Sequence, residues 1–316
     1  MFEDILKLIR AHDRIVLHRH QNPDGDALGA QLGLYYILKE NFPEKEILAV
    51  GDMNRRYAFM LEGREMDTVA DAAYNGALAI VLDTSAKALI SDERYATAKA
   101  TARIDHHIFC EKICDTEVTD TSFESCAGMI AALAMEAELH LTPAAAKALY
   151  TGMVTDSGRF RYDSTTAKTF ALASFLMQTP FKTQDIYRNL YSDELASVKL
   201  RAHFVSKIQL TEAGVAYIYT TKEEAAATGA DTFTISRGMV NTMSDIRGID
   251  TWVNFTETEG GVLCEIRSSV HNINKVAVKW GGGGHKRASG ATLKSREDAM
   301  ALLKDLDEVN SEACDE

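Results

Sequence analysis

Three short apolar runs, each ending at an aspartate or histidine, constrain this chain more than any other feature. RIVLH (14–18) leads into HQNPDGD (20–26), ALAIVL (77–82) into the segment VLDTS (81–85), and ARI (102–104) into DHH (105–107). If the runs are neighbouring parallel strands, their C-terminal ends meet in one crevice, where open α/β sheets usually bind ligands. That crevice would gather His20, Asp24, Asp26, Asp83, Asp105, His106 and His107. So many like charges in a small volume are strongly unfavourable unless cations neutralise them. A metal site is therefore the first expectation. Two later segments join the pattern: VTDSG (154–158), which adds Asp156, and GGGGHKRASG (281–290).

The remaining periodicity fits an α/β chain of two domains, as a length of 316 residues suggests. Residues 27–40, 122–138, 142–156 and 164–178 have helical apolar spacing, and EILAV at 46–50 reads as a strand. Thr142 followed by Pro143 is a start signal for a helix that would end at Asp156. The expected fold is a doubly wound, mainly parallel sheet over residues 1–190. A linker at 191–203, overlapping the helical stretch DELASVKLRAHFVSKI, leads to a smaller α/β domain over 204–316. There IQLTEAGVAYIYTT and WVNFTETEGGVLCEIRS read as strands broken by glycine turns, which predicts hairpin-like or antiparallel pairing. The end of the chain reads as a helix fraying into acidic residues.

Composition narrows the classes. With 46% hydrophobic and 25% charged residues the chain is that of a soluble globular protein. No apolar run is long enough to span a membrane, and MFEDILKLIRAHDR lacks the apolar core of a signal peptide. Five cysteines without CxxC spacing argue against a disulfide framework and a structural zinc site, so reduced thiols and a cytoplasmic location are expected. Cys110 and Cys114 follow DHH at a spacing that permits ligation, but packing is the better reading. A net charge of −12 would repel long nucleic acid. Between Val262 and Arg296, however, seven Lys or Arg face one acid, Glu265, which suggests a small anion held by a confined basic patch.

Residue chemistry sharpens this. Pro23 and Gly25 keep His20, Asp24 and Asp26 on a loop able to wrap cations, although a lone PDGD would mostly be a capped turn. Asp83 ends an apolar strand, where it either caps a following helix or bridges ions. Carboxylates with two imidazoles suit Mn²⁺ or Mg²⁺ better than structural zinc. In the basic patch, Gly282, Gly283 and Gly284 can bring backbone N–H groups to an anion, and His285, Ser268 and above all Arg267 can bind phosphate. Arg159 and Arg161, just after Asp156, are further candidates.

HxxPDxDALG, VLDTS, DHH, TDSGRF and GGGGHxxASG, in that order, strongly resemble the DHH phosphoesterase superfamily with its DHH-associated C-terminal domain. The compact chain is most similar to the group of oligoribonucleases (nanoRNases) and pAp phosphatases. The resemblance implies two ions, usually Mn²⁺, with Mg²⁺ or another divalent ion as the alternative. His20, Asp24 and Asp83 would hold one ion; Asp26, Asp83, His106 and Asp156 would hold the other. It implies that His107 contacts the substrate phosphate or leaving group and that Asp105 orients a histidine. The implied substrates are RNAs of about two to five nucleotides or 3′-phosphoadenosine 5′-phosphate (pAp). A cyclic di-AMP or pApA phosphodiesterase is the rival, and a non-catalytic nucleotide-binding module the alternative from another class. The sequence leaves monomer and homodimer both open.

Overall fold

The computed structural model describes residues 1–311. The expected acidic fray, at residues 312–316, lies outside the described residues. The chain divides into two compact units, Met1–Ser192 and a second that begins at Asp193. No helix among the described residues is long and apolar enough to cross a membrane.

The first unit runs α1 (Glu3–Ala11), β1 (Arg14–His18), α2 (Gly25–Asn41), β2 (Glu46–Ala49), β3 (Leu78–Leu82), β4 (Ala100–Asp105), β5 (Thr116–Thr119), α3 (Cys126–Glu136), α4 (Pro143–Asp156), α5 (Ala167–Met177) and α6 (Thr183–Tyr191). Its five strands are all parallel, in the order β2-β1-β3-β4-β5. The winding direction reverses between β1 and β3, and a crevice opens at such a switch point. Ile15, Leu17, Leu78, Ile80 and Leu82 pack in a core with the apolar residues of α2, α3 and α4. On the opposite face Ala79 and Val81 meet Ile90, Tyr95 and Ile113, while Val16 meets Tyr74. Both faces are covered, as a doubly wound sheet requires. The second face, however, is covered largely by single 3₁₀ turns such as Asp71–Tyr74 and Glu93–Thr97.

The helix ends follow from local chemistry. Thr142 caps α4 through the Ala145 N–H, with Pro143 in the first turn, as the sequence predicts. By contrast, α3 begins at Cys126 rather than 122, because the Ser125 hydroxyl accepts the Gly128 N–H and sets the start there. Likewise α5 begins at Ala167, after a capping box between Thr166 and Thr169. Helices α2 and α4 touch backbone to backbone: a Cβ on Gly29 would lie 2.7 Å from the Ala148 carbonyl, and one on Gly152 would lie 2.9 Å from Asp26 Oδ1.

The second unit runs α7 (Leu195–Ser206), β6 (Gln209–Leu210), β7 (Ala216–Thr220), α8 (Lys222–Thr228), β8 (Thr251–Thr258), β9 (Gly261–Ser268), α9 (Asn274–Lys279), β10 (Gly283–His285), β11 (Ala288–Leu293) and α10 (Arg296–Ser311). Its sheet order is β10-β11-β9-β8-β7-β6. The two glycine-turn pairs, β6–β7 and β8–β9, are antiparallel. The sheet is mixed because β7 and β8 are parallel, joined by the crossover through α8. Val262, Cys264 and Ile266 share a core with residues of α9 and α10, while Ile218 and Trp252 on the other face share one with Phe204 of α7.

Candidate metal centre

At the C-terminal ends of β1, β3 and β4 a cavity of about 180 Å³ is lined by His20, Asp24, Asp83, Thr84, Ser85, Leu89, His106, His107 and Asp156. Each donor is held by its own backbone context. Asp24 caps α2, its Oδ1 accepting the N–H groups of Asp26 and Ala27 at 2.9 and 3.0 Å. The capped-turn reading of PDGD and the ligand reading thus apply to the same residue. Asp26 lies in the first turn of α2 and not on the loop expected from Pro23 and Gly25, because Asp24 caps the helix ahead of it. It is wholly buried and turned to the start of α3, accepting the Cys126 and Ala127 N–H groups at 2.7 and 2.8 Å. A carboxylate there is favoured by the helix dipole. Asp83 has φ 48°, a left-handed conformation that aspartate tolerates better than most residues. It does not cap a helix, since the next turn, Lys87–Leu89, follows Ala86.

These side chains converge. His106 Nε2 lies 3.5 Å from Asp83 Oδ1, 3.5 Å from Asp156 Oδ2 and 3.7 Å from Asp26 Oδ2. His20 Nε2 lies 3.6 Å from Asp83 Oδ2 and 3.9 Å from Asp24 Oδ1. Three donor sets able to hold a metal ion result: His20 with Asp24 and Asp83; Asp26 with His106 and Asp156; and Asp83 with His106 and His107. Asp83 is 2% exposed, yet its Oδ1 has no hydrogen-bond partner. A buried carboxylate oxygen of this kind is costly unless a cation meets it, so the residues fit a bound divalent metal.

The electrostatics carry the same strain. Burial, then Asp83 and Asp156, push the Asp26 carboxyl well above its usual range. Asp156 rises to about 6 through burial and the neighbouring Asp83 and Asp24 charges. Burial opposes ionisation of Asp83, but the adjacent His106 and His20 imidazoles outweigh it and hold the group below the ordinary carboxylate range. Burial likewise opposes charge on the histidines. Asp83 overcomes it, and His20 and His106 are raised to about 9 and about 10.

Beside the donors, His107 Nδ1 is 2.7 Å from Asp105 Oδ1, which raises the histidine and leaves Nε2 as its free nitrogen. Asp105 is fixed in turn by Arg103, whose Nη2 donates to Oδ2 at 2.5 Å. Arg103 is wholly buried and also donates to the Glu111 carbonyl. The sequence reading passed over it. An arginine inside an otherwise apolar strand, two residues before the aspartate, was the available signal. Also missed was Arg19, which donates to Asp52 Oδ1 at 2.9 Å and to the His20 carbonyl at 3.0 Å. Asp52 accepts the Asn22 N–H as well, so it ties down the donor loop.

In the second unit the candidate anion-binding residues lie on β9 and on or just before β10, on either side of β11, and Arg267 and Ser268 are internally engaged. Arg267 Nη2 donates to Glu265 at 3.0 Å, and Nη1 donates to the Ile266 carbonyl. The Ser268 hydroxyl donates to the Asp250 carbonyl and accepts the Val270 and His271 N–H groups. The Gly281 and Gly282 N–H groups close the end of α9, donating to Val278 and Ala277. Gly283, Gly284 and His285 form the edge strand β10. A Cβ on Gly284 (φ 138°) would lie 2.6 Å from the Ala288 carbonyl, so only glycine fits there. Cys110 is exposed, Cys114 is buried, and neither belongs to a donor set among the described residues. A larger groove of about 680 Å³ in the first unit runs past Val50, Gly51 and Ser91, but its Arg94 and Asp67 are already paired.

Comparison with known families agrees with this architecture. Residues 14–153 match the DHH family, N-terminal domain, and residues 217–312 match the DHHA1 domain. The chain belongs to the DHH family. It is 37% identical, over 99% of both chains, to a Bacillus subtilis (strain 168) protein named bifunctional oligoribonuclease and PAP phosphatase NrnA. A crystal structure of an exopolyphosphatase-related protein from Bacteroides fragilis superposes with a TM-score of 0.81 at 25% identity, covering 97% of this chain and 95% of that one. A more distant relative, cyclic-di-AMP phosphodiesterase GdpP of Geobacillus thermodenitrificans, is 24% identical. The match covers 91% of this chain but only 46% of that protein.

Proposed function

We propose that this DHH-family chain is a metal-dependent phosphoesterase that hydrolyses short oligoribonucleotides to nucleoside 5′-monophosphates and pAp to AMP. The observation that carries the reading is the cluster of three donor sets around Asp83 and His106, in a chain matched end to end by a protein named for both activities. His20, Asp24 and Asp83 would hold one ion and Asp26, Asp83, His106 and Asp156 a second. Their oxygen-rich chemistry favours Mn²⁺, with Mg²⁺ as the alternative. Such ions supply charge to polarise the phosphoester and lower the pKa of water.

The protein's own groups do the rest. His107, its Nδ1 held against Asp105, presents Nε2, which in the doubly protonated ring would donate to the phosphate or to the departing oxygen. Arg103 and Asp105 fix that ring as positioning residues. In the second unit, Arg267, Ser268, Gly282, Gly283, Gly284 and His285 are assigned to gripping the rest of the nucleotide, with residues 204–316 as the substrate-binding domain after a linker at 191–203. For Arg267 this requires exchanging Glu265 for phosphate.

The test is a substrate panel with Mn²⁺: pAp, pApA, cyclic di-AMP and RNAs of roughly two, five and twenty-four nucleotides, compared at equal concentration. Turnover should be highest on the shortest RNAs and pAp, releasing 5′-monophosphates. Equal degradation of the longest RNA would point to a processive exonuclease, a preference for cyclic di-AMP to the rival phosphodiesterase, and no turnover at all to a nucleotide-binding module.

A further inference from the structure

Directly after Asp156 the chain takes three successive left-handed residues, Gly158, Arg159 and Phe160, with φ of 57°, 65° and 60°. Two of these carry large side chains, for which the conformation costs on the order of 1–3 kcal/mol each. The surroundings enforce it. The Ser157 hydroxyl accepts the Phe160 N–H, its carbonyl accepts those of Arg161 and Tyr162, and Phe160 packs against Tyr150 and Phe170. The outcome is that Arg159 stands with its guanidinium 4.7 Å from the centroid of the Tyr191 ring. Arg56 donates to the neighbouring Leu190 carbonyl at 2.6 Å. It sits on a 3₁₀ turn tied to the donor loop by Asn54, whose Nδ2 donates to the Pro23 carbonyl. The two arginines therefore flank the donor cluster, one beside the Asp24 loop and one three residues beyond Asp156.

Some arginines of this acidic chain find carboxylates, Arg14 with Glu46, Arg94 with Asp71 and Arg201 with Asp193, while other exposed arginines such as Arg10, Arg188 and Arg247 do not. Arg56 and Arg159 are both exposed, and neither pairs with a carboxylate among the described residues. A guanidinium lying over an aromatic ring keeps its N–H edge free for bidentate bonds to phosphate. Three residues of chain span at most about 10 Å, so the Arg159 backbone stands close to Asp156 and its side chain is long enough to meet a neighbouring nucleotide.

We propose that Arg56 and Arg159, the latter held over Tyr191, form a phosphate subsite on the catalytic unit for the nucleotide adjoining the scissile bond. The inference rests on the phosphoesterase reading above and deepens it, because pAp has no further nucleotide to place there whereas a trinucleotide does. The subsite would distinguish RNA from pAp.

The experiment uses the full-length, Mn²⁺-loaded protein with R56A, R159A, the double variant and R159K. KM and kcat are measured on a trinucleotide and on pAp, and metal content and thermal unfolding are followed in parallel. Binding of an uncleavable phosphorothioate trinucleotide is measured alongside. Each guanidinium removed should raise the trinucleotide KM by about tenfold, the loss of one charge-assisted contact. Arg159→Lys should be intermediate, kcat and metal content unchanged, and the loss on pAp at least about tenfold smaller for the double variant. An unchanged trinucleotide KM, or an equal loss on pAp, overturns the subsite. A wild-type protein that cleaves neither substrate overturns the phosphoesterase reading instead. In that event arginine-dependent binding of the uncleavable analogue still upholds the subsite, and arginine-independent binding overturns it.

Discussion

The two ends of this chain handle charge in opposite ways. At the strand ends of the first unit, carboxylates and imidazoles stand 3.5 to 3.9 Å apart with Asp83 Oδ1 buried and unpartnered. On strand β9 of the second unit, Arg267 and Ser268 have already spent their polar groups on Glu265 and on backbone. The first arrangement is preorganised and incomplete without a cation. The second is self-satisfied and must trade partners to bind an anion. Tight, stoichiometric occupation is the expectation for the first and weak, exchangeable binding for the second.

The largest effect should come from breaking the first region. Asp83 takes part in two donor sets, so Asp83→Ala should lower turnover by at least about 10³-fold, on the order of 4 kcal/mol, with loss of bound metal. Manganese content and turnover are measured on the same sample. A folded variant that keeps two ions and normal turnover would remove the distinction between the two regions.

A smaller effect tests how strained the first unit is beneath its donors. His18, the last residue of β1, is wholly buried against Tyr74 and Tyr95, and neither ring nitrogen has a hydrogen-bond partner. Burial lowers it to about 4. Its neutral form is favoured in the fold, so its stabilising contribution is complete above the unfolded pKa of about 6.5 and is lost as pH falls toward 4. Between pH 7.5 and pH 5 the wild type should lose about 2 kcal/mol relative to His18→Phe, as read from denaturant unfolding. The difference between the two proteins cancels the other titrating groups. Parallel pH dependence in both would show His18 already charged or exposed.

The smallest effect belongs to the second region. Glu265→Gln should free Arg267 and tighten nucleotide binding by roughly 1 kcal/mol, a few-fold in Kd. Arg267→Ala should weaken binding with bound metal retained. Calorimetric titration with pAp separates the outcomes. If Glu265→Gln also weakens binding, the carboxylate belongs to the site and does not compete for it.

The candidate donors could be picked out in the sequence because each sits where a strand or helix begins or ends, and such ends are marked by Pro, Gly and a change of periodicity. Asp156 could be placed from the start signal at Thr142 and Pro143 together with the helical apolar spacing that runs from there to it. What stayed hidden depends on partners remote in sequence or on side-chain direction. Arg19 meets Asp52 across 33 residues, and nothing in RIVLHRH announces that contact. The Arg267–Glu265 pair was visible as an i, i+2 match on one strand face, but a tally of charges counted the two without pairing them. Strand β5, TEVT, has only half-buried and exposed residues, so it leaves no apolar run to find.

The backbone contact between α2 and α4 bears on how the protein is made. Asp26 and Asp156 lie on opposite sides of that seam, 130 residues apart, and Gly152 leaves no room for a side chain between α4 and Asp26. On the ribosome, the set of His20, Asp24 and Asp83 and the set of Asp83, His106 and His107 can be synthesised before α4 exists. The set of Asp26, His106 and Asp156 cannot. Nascent chains halted before residue 156 should therefore lack one donor set, and its completion should come about half-way through translation, timed by the emergence of a single helix.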